Sequence, residues 1–181
     1  MRFLPTLLKD AILIELDKRV DARGFFARTF CEHEFAAAGL HTRFVQANTS
    51  GNPCAGTLRG LHYQIAPYAE IKVIRCTRGA IFDVIIDLRL DSASYRRWQG
   101  FELDAAAGTM LYVPEGFAHG YQTLVDDTEV AYQVSREYTP GAEAGIRYDD
   151  PAFGITWPLP PDFISEKDAN WPNLALVAGP H

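Results

Sequence analysis

The sequence predicts an all-β fold, a sandwich or barrel of seven or eight short strands. Three observations predict it. Apolar, β-branched and aromatic runs recur between residues 44 and 136, each closed by turn residues, which is the spacing of a sandwich or barrel. One run is apolar on both parities, with Ala80, Phe82, Val84, Ile86 and Leu88 on one side and Ile81 and Ile85 on the other. Such a strand is central and covered on both faces. Helical signals are confined to two short segments.

The elements follow in order. CEHEFAAAGL (31–40) reads as a short helix stopped by Gly39. FVQANTS (44–50) is a strand ending at Gly51-Asn52-Pro53, and TLRGLHYQ (57–64) is one ending at Ala66-Pro67. EIKVIRCT (70–77) turns at Arg78-Gly79 into AIFDVIIDLR (80–89). RWQGFEL (97–103), TMLYVP (109–114), AHGYQTL (118–124) and TEVAYQVSR (128–136) are separated by Ala-Ala-Ala-Gly, Pro114-Glu115-Gly116 and Asp126-Asp127. Ser165 followed by Asp168 reads as a helix N-cap with an acidic residue at its third position. After residue 139 the chain is rich in Pro and Trp and weakly periodic, yet too apolar for a linker. It is expected to wrap the sandwich, making residues 1–181 one domain with 139–181 as its cover.

Composition bounds the function. With 181 residues, 48% hydrophobic and 22% charged, the chain can bury roughly 70% of its unfolded surface and needs no disulfide or metal staple. Three cysteines without paired spacing read as reduced thiols, hence a cytoplasmic protein. No apolar run approaches the ~18 residues of a membrane span. Pro5, Lys9 and Asp10 break the N-terminal apolar stretch, so no signal peptide is expected. A net charge of −6 argues against a general nucleic-acid binder but leaves room for a local basic cluster that holds an anionic ligand.

Several side chains stand out for chemistry. In RGLHYQ, strand alternation puts Arg59 and His62 on opposite faces, and Gly60 between them permits a bend that brings both to one pocket. The alternative is a core-bonded histidine with a rim arginine. Lys72, flanked by Ile71, Val73 and Ile74, either faces a wet cavity as a candidate oxyanion stabiliser or snorkels at an edge. Tyr132 shares its parity with Val130 and Val134. It is either a core tyrosine or a general acid opposite a base such as His62. Asp168 is either a helix-start carboxylate or, with the tail folded back, the partner that orients His62. Lys167 then sits beside the same mouth. Gln46 and Asn48 share a face, and with Arg23 they form a polar set that is either a ligand contact or edge polarity. His62 and His119 are the only histidines in the expected strands. No His-x-His pair or closely spaced carboxylate–histidine set accompanies them, so neither metal nor cofactor is expected.

Taken together, DARGFFARTF, FVQANTSGNPCAGTLRGLHYQ, EIKVIRCTRGAIFDVIIDLR, YVPEGFAHGYQTL, YQVSREYTPGAEAGIRYDDPAFGITWPL and ISEKD resemble the nucleotide-sugar 3,5-epimerases, from about residue 4 to about 172. RGLHYQ, PEGFAHG and GIR-x-DDP, in this order and spacing, carry the resemblance. It implies a cupin-like jelly roll, metal-free and homodimeric, that acts on a nucleoside-diphosphate 4-keto-6-deoxy sugar. It implies His62 as general base, Asp168 as its partner, Tyr132 as the acid and Lys72 as the enolate-steadying residue. Arg59, His119, Arg23, Gln46 and Asn48 become substrate and pyrophosphate contacts. Tyr138 becomes the aromatic stacked on the nucleobase, with Glu143 and Lys167 at nucleotide- or sugar-binding positions. The chain departs from the family's usual residues at Arg28, where glutamate is typical, at Tyr148, where tryptophan is usual, and in PYAEIK before Lys72. The rival functions are a single-centre epimerase or one using another nucleotide, a sugar ketoisomerase, and a non-catalytic sugar-nucleotide binder.

Overall fold

The computed structural model describes residues 1–174. The strands are β1 (Arg2–Pro5), β2 (Ile12–Glu15), β3 (Arg19–Asp21) and β4 (Gly24–Phe26), followed by helix α1 (Glu32–Ala37). Then come β5 (Gln46–Asn52), β6 (Thr57–Gln64), β7 (Lys72–Arg78), β8 (Ala80–Asp87) and β9 (Trp98–Asp104). They are followed by β10 (Met110–Val113), β11 (Phe117–Thr123), β12 (Thr128–Val134), β13 (Glu143–Gly145), β14 (Phe163–Ile164) and helix α2 (Glu166–Ala169). The strands expected between 44 and 136 become β5 to β12, with ends displaced by two residues at most. The first four strands carried no expectation because each is too short to show a period.

Two antiparallel sheets face each other. The first runs β1-β2-β10-β7-β12-β5, and the second runs β13-β6-β11-β8-β9, with β14 added parallel to β6. β3 and β4 form a separate hairpin. Strand alternation sorts the apolar residues into three layers. Ile74, Cys76, Leu111, Val113 and Val130 from the first sheet meet Ile81, Ile85, Leu103 and Phe117 from the second between the sheets. On the outer face of the first sheet, Ile14, Val73, Met110 and Tyr112 are covered by Phe35 of α1 and by Phe3, Phe30 and Phe44. On the outer face of the second, Leu61, Val84, Ile86 and Ala118 lie under Ile146, Phe153, Ile155 and Trp157. β8 contributes to the inner layer and to this outer one, which is why its sequence is apolar on both parities. α1 ends as its sequence suggests, with Gly39 at φ +73° and the Leu40 amide bonded to the Phe35 carbonyl.

The end of β8 carries a buried polar knot. Asp87 is fully buried and accepts bonds from Arg89 (2.9 and 2.8 Å), Ser92 (2.5 Å) and Ser94 (2.6 Å). Arg89 also reaches Asp10 at 2.9 Å, tying the N-terminal loop to the second sheet. Burial disfavours the charged carboxylate, but these donors outweigh it and lower the Asp87 pKa to about 2. A depressed carboxylate adds stability above its unfolded pKa of ~3.9 and loses it as pH falls through the folded value. Chemical denaturation from pH 5 to pH 2 should therefore show a loss of about 2 kcal/mol between pH 4 and 2 that Asp87→Asn lacks. The variant should be less stable than the parent at pH 7.

Candidate active site

The site begins with a bulge. In the β6–β11 ladder His62 pairs with His119, but Arg59, not Gly60, pairs with Tyr121. Two steps along β11 thus match three along β6. The extra residue brings Arg59 and His62, three apart in sequence, to the same inward face. Gly60 makes this possible. Its φ is +122°, and a Cβ there would lie 2.5 Å from the Gly120 Cα and 2.8 Å from the His119 carbonyl oxygen. Gly120 is under the same constraint, since its own Cβ would meet the Arg59 carbonyl at 2.7 Å. Two strands touch here backbone to backbone.

The bulge also turns the Gly60 amide toward α2. Ser165 caps that helix by accepting the Asp168 amide at 3.1 Å. The Asp168 carboxylate, at the third helical position, is therefore not needed at the cap. Its Oδ1 lies 2.6 Å from His62 Nε2 and its Oδ2 accepts the Gly60 amide at 3.2 Å. Burial opposes the charge on Asp168, but the bonds from His62, Gly60 and Trp171 outweigh it and hold the carboxyl below its usual range. An ionised carboxylate only accepts, so Nε2 of His62 carries the proton of this bond, and in the neutral imidazole Nδ1 is the nitrogen with the lone pair.

His62 lines a cavity of about 320 Å³. Gln46, Asn48, Lys72 and Tyr132 line it from the first sheet and Glu143 from β13 of the second, with Glu70 and Tyr138 from adjoining segments. Gln46 and Asn48 are bonded to each other at 2.9 Å, and Asn48 is the register partner of Tyr132. Burial raises the Tyr132 phenol pKa, with the charges of Tyr121 and Glu70 adding to it. The hydroxyl is thus protonated across the neutral range. Lys72 is buried and paired with Glu70 at 3.1 Å; it faces the cavity and does not snorkel. Lys167 is bonded to Glu143 at the rim, and Tyr138 lies beside Glu143, more than half exposed.

Three expected contact residues do not line this cavity. Arg23 sits in the β3–β4 turn, paired with Asp21 and largely exposed, so within one chain it does not join Gln46 and Asn48. His119, the register partner of His62, is buried with Nε2 2.9 Å from Asp83. Arg59 bonds the neutral Asn52 at 2.8 Å and has no carboxylate partner among the described residues, so its charge is free for an anion. Its exposed side opens onto a second groove lined by Asp162, Ser165 and Asp168. Sequence reasoning missed Glu70 and Asp83. Glu70 was signalled only by its two-residue spacing from Lys72, and nothing local signalled Asp83. Among the described residues no group of three or more His, Cys, Asp or Glu is placed to hold a metal ion.

The family model of dTDP-4-dehydrorhamnose 3,5-epimerase matches residues 5–175. The chain belongs to this epimerase family. A dTDP-4-dehydrorhamnose 3,5-epimerase of Methanothermobacter thermautotrophicus is 44% identical, over 96% of this chain and 94% of that protein. A crystal structure of the Bacillus anthracis epimerase with TDP and PPi bound superposes with a TM-score of 0.93 at 40% identity, covering 96% of this chain and 99% of that one. The Legionella pneumophila epimerase, in complex with dTDP-4-keto-L-rhamnose, gives 0.91 at 35% identity, over 97% and 94%. The expected cupin-like all-β architecture is therefore that of the 3,5-epimerases. In this epimerase the cavity walls are built from both sheets, and the dyad joins the second sheet to the C-terminal helix.

The bulge gives a direct test. Gly60→Ala places a methyl group against the Gly120 backbone at a φ that L-residues avoid. It should cost at least ~2 kcal/mol in chemical denaturation and lower activity, because His62 and the Gly60 amide move together. Gly51→Ala in β5, where a Cβ meets nothing within 4 Å, is the control and should stay within about 1 kcal/mol of the parent.

Proposed function

We propose that this chain epimerises a nucleoside-diphosphate 4-keto-6-deoxy sugar, dTDP-4-dehydro-6-deoxy-glucose, to dTDP-4-dehydrorhamnose. The observation that carries the reading is the His62–Asp168 pair sharing one cavity with Tyr132 and Lys72. The ketone at carbon 4 acidifies the C–H bonds at carbons 3 and 5. Nδ1 of His62 removes a proton, and the bonding pair moves into the ring as an enolate. The developing negative charge on the carbon-4 oxygen meets the Lys72 ammonium, fixed before the reaction by Glu70. Tyr132, from the opposite sheet, delivers its proton to the other face of the carbanion carbon. His62 then releases its proton to water and Tyr132 regains one. The diphosphate is gripped by Arg59, which has no carboxylate partner among the described residues. Gln46 and Asn48 hold the sugar, while Tyr138, Glu143 and Lys167 hold the nucleotide at the rim. The assignments need neither metal nor redox cofactor.

We further propose that the whole chain is one such domain, with the segment from 139 as its cover, and that it works as a homodimer. In support of the dimer, the β3–β4 hairpin leaves Val20, Phe25 and Phe26 exposed by 76%, 60% and 69%, an apolar arm that a second copy would bury. His119 then acts on the diphosphate only through movement of its ring, and Arg23 acts from the partner's hairpin. Three free thiols support a reducing, cytoplasmic setting.

In heavy water, His62→Asn should lose deuterium exchange at carbons 3 and 5 while keeping its affinity for dTDP. Near-normal turnover in this variant would overturn the base assignment. Tyr132→Phe should separate the two half-reactions. His62 still abstracts and returns a proton to the same face, so deuterium enters while configuration is retained. Epimerisation should fall by ~10²–10⁴, followed by proton NMR with exchange followed by mass spectrometry. Equal losses of exchange and inversion would show that Tyr132 is not a dedicated acid. NMR of the parent enzyme's product also shows whether one or both centres invert.

The dimer has its own test. Sedimentation velocity of the parent should give twice the monomer mass, and Phe26→Ser should shift it toward monomer. A monomeric parent at micromolar concentration would exclude the dimer.

A further inference from the structure

We infer that Trp171 is a positioning residue for the His62–Asp168 pair. The inference rests on the reading that His62 is the base. Trp171 lies three residues beyond Asp168, just past the end of α2. Its Nε1 donates to Asp168 Oδ1 at 3.3 Å, the oxygen that also faces His62. The other oxygen takes the Gly60 amide. The Gly60 amide fixes one oxygen, but the donor on the other, His62, is the ring to be oriented and can swing together with the carboxylate; the indole adds a second anchored donor, which sets the plane. The plane of Asp168 in turn sets the direction in which His62 points Nδ1.

The indole is itself held in place. It stands edge-on to His62, with ring centroids 6.2 Å apart and planes at 70°. It is seated on Gly145, where a Cβ would come within 2.3 Å of the ring. Gly145 is the register partner of His62 between β13 and β6, so the seat and the base belong to the same rung of the sheet. The Lys167 ammonium lies 5.4 Å from the indole centroid, which ties the ring to the Lys167–Glu143 pair at the cavity rim. The chain's other two tryptophans are used differently. Trp98 donates to the Phe153 carbonyl at 2.8 Å and Trp157 to the Tyr148 carbonyl at 2.9 Å. Only the Trp171 indole N–H is directed at an ionisable side chain.

A ring that merely packs is replaced well by phenylalanine; one that acts through its N–H is not. Trp171→Phe should lower kcat and the deuterium-exchange rate together by about tenfold, as expected for loss of a bond to a charged acceptor. The KM and the dTDP affinity should be unchanged. In an Asp168→Asn background the same substitution should cost less than about twofold, because the group it positions is already altered. A second readout leaves Trp171 in place. Of the three indole N–H resonances, one should move upfield in Asp168→Asn, while those of Trp98 and Trp157 stay. Equal costs of Trp171→Phe in both backgrounds, full activity in Trp171→Phe, or three unmoved indole resonances would each overturn the inference. Should Trp171→Phe not fold, the resonances decide alone. Failure of the base reading looks different: exchange would survive in His62→Asn itself.

Discussion

The contact on which the rest of the site depends is between two glycines. Gly60 and Gly120 bring β6 and β11 together at a distance that no side chain allows, and the extra residue that this leaves in β6 has two consequences. It puts Arg59 and His62 on one face, so that one short segment carries both the cation and the imidazole to which the proposed mechanism gives roles. It also points the Gly60 amide at Asp168, so the backbone that places the base also anchors the base's partner. A regular strand would separate these roles by half a turn of the pleat.

The charged groups around the cavity are paired before any substrate arrives. Lys72 is held by Glu70 and Lys167 by Glu143, and the Asp168 carboxylate is held by His62 and the Gly60 amide. In a partly buried site, an ion that already has its partner does not reorganise as charge develops, which is the physical basis of electrostatic preorganisation. Arg59 is the exception, bonded to the amide of Asn52 and to no carboxylate among the described residues. Its free charge matches the one part of a nucleotide sugar that is ionised from the start.

The covers over both sheets are more than packing. The segment that shields the outer face of the second sheet with Ile146, Phe153 and Trp157 continues into β14 and α2. It thereby delivers Asp168 and Trp171 to the back of His62. Burial of an apolar face and assembly of the His62–Asp168 pair are thus coupled, and the hydrophobic energy of the cover holds the Asp168 carboxylate in position.

Much of this was legible in the residues. The strands from 46 to 134 followed from apolar runs and turn residues, the two-faced character of β8 from its double parity, and the Ser165 cap from its spacing. Gly60 marked the place where alternation would fail. The family resemblance added roles for His62, Asp168, Lys72 and Tyr132 that spacing had left open. Other features were not legible, for stated physical reasons. The pairing of Lys72 with Glu70 depends on both side chains turning into one cavity, and that of His119 with Asp83 depends on β8 and β11 being neighbours. The separation of Arg23 from Gln46 and Asn48 depends on a hairpin that leaves the body of the chain. By itself, the sequence determined local matters: which segments extend, where they turn, and which faces are apolar, because these follow from side-chain size, branching and period. The tertiary structure alone decided which polar groups meet, because such meetings are set by sheet order, by one bulge and by a tail that folds back more than a hundred residues to reach His62.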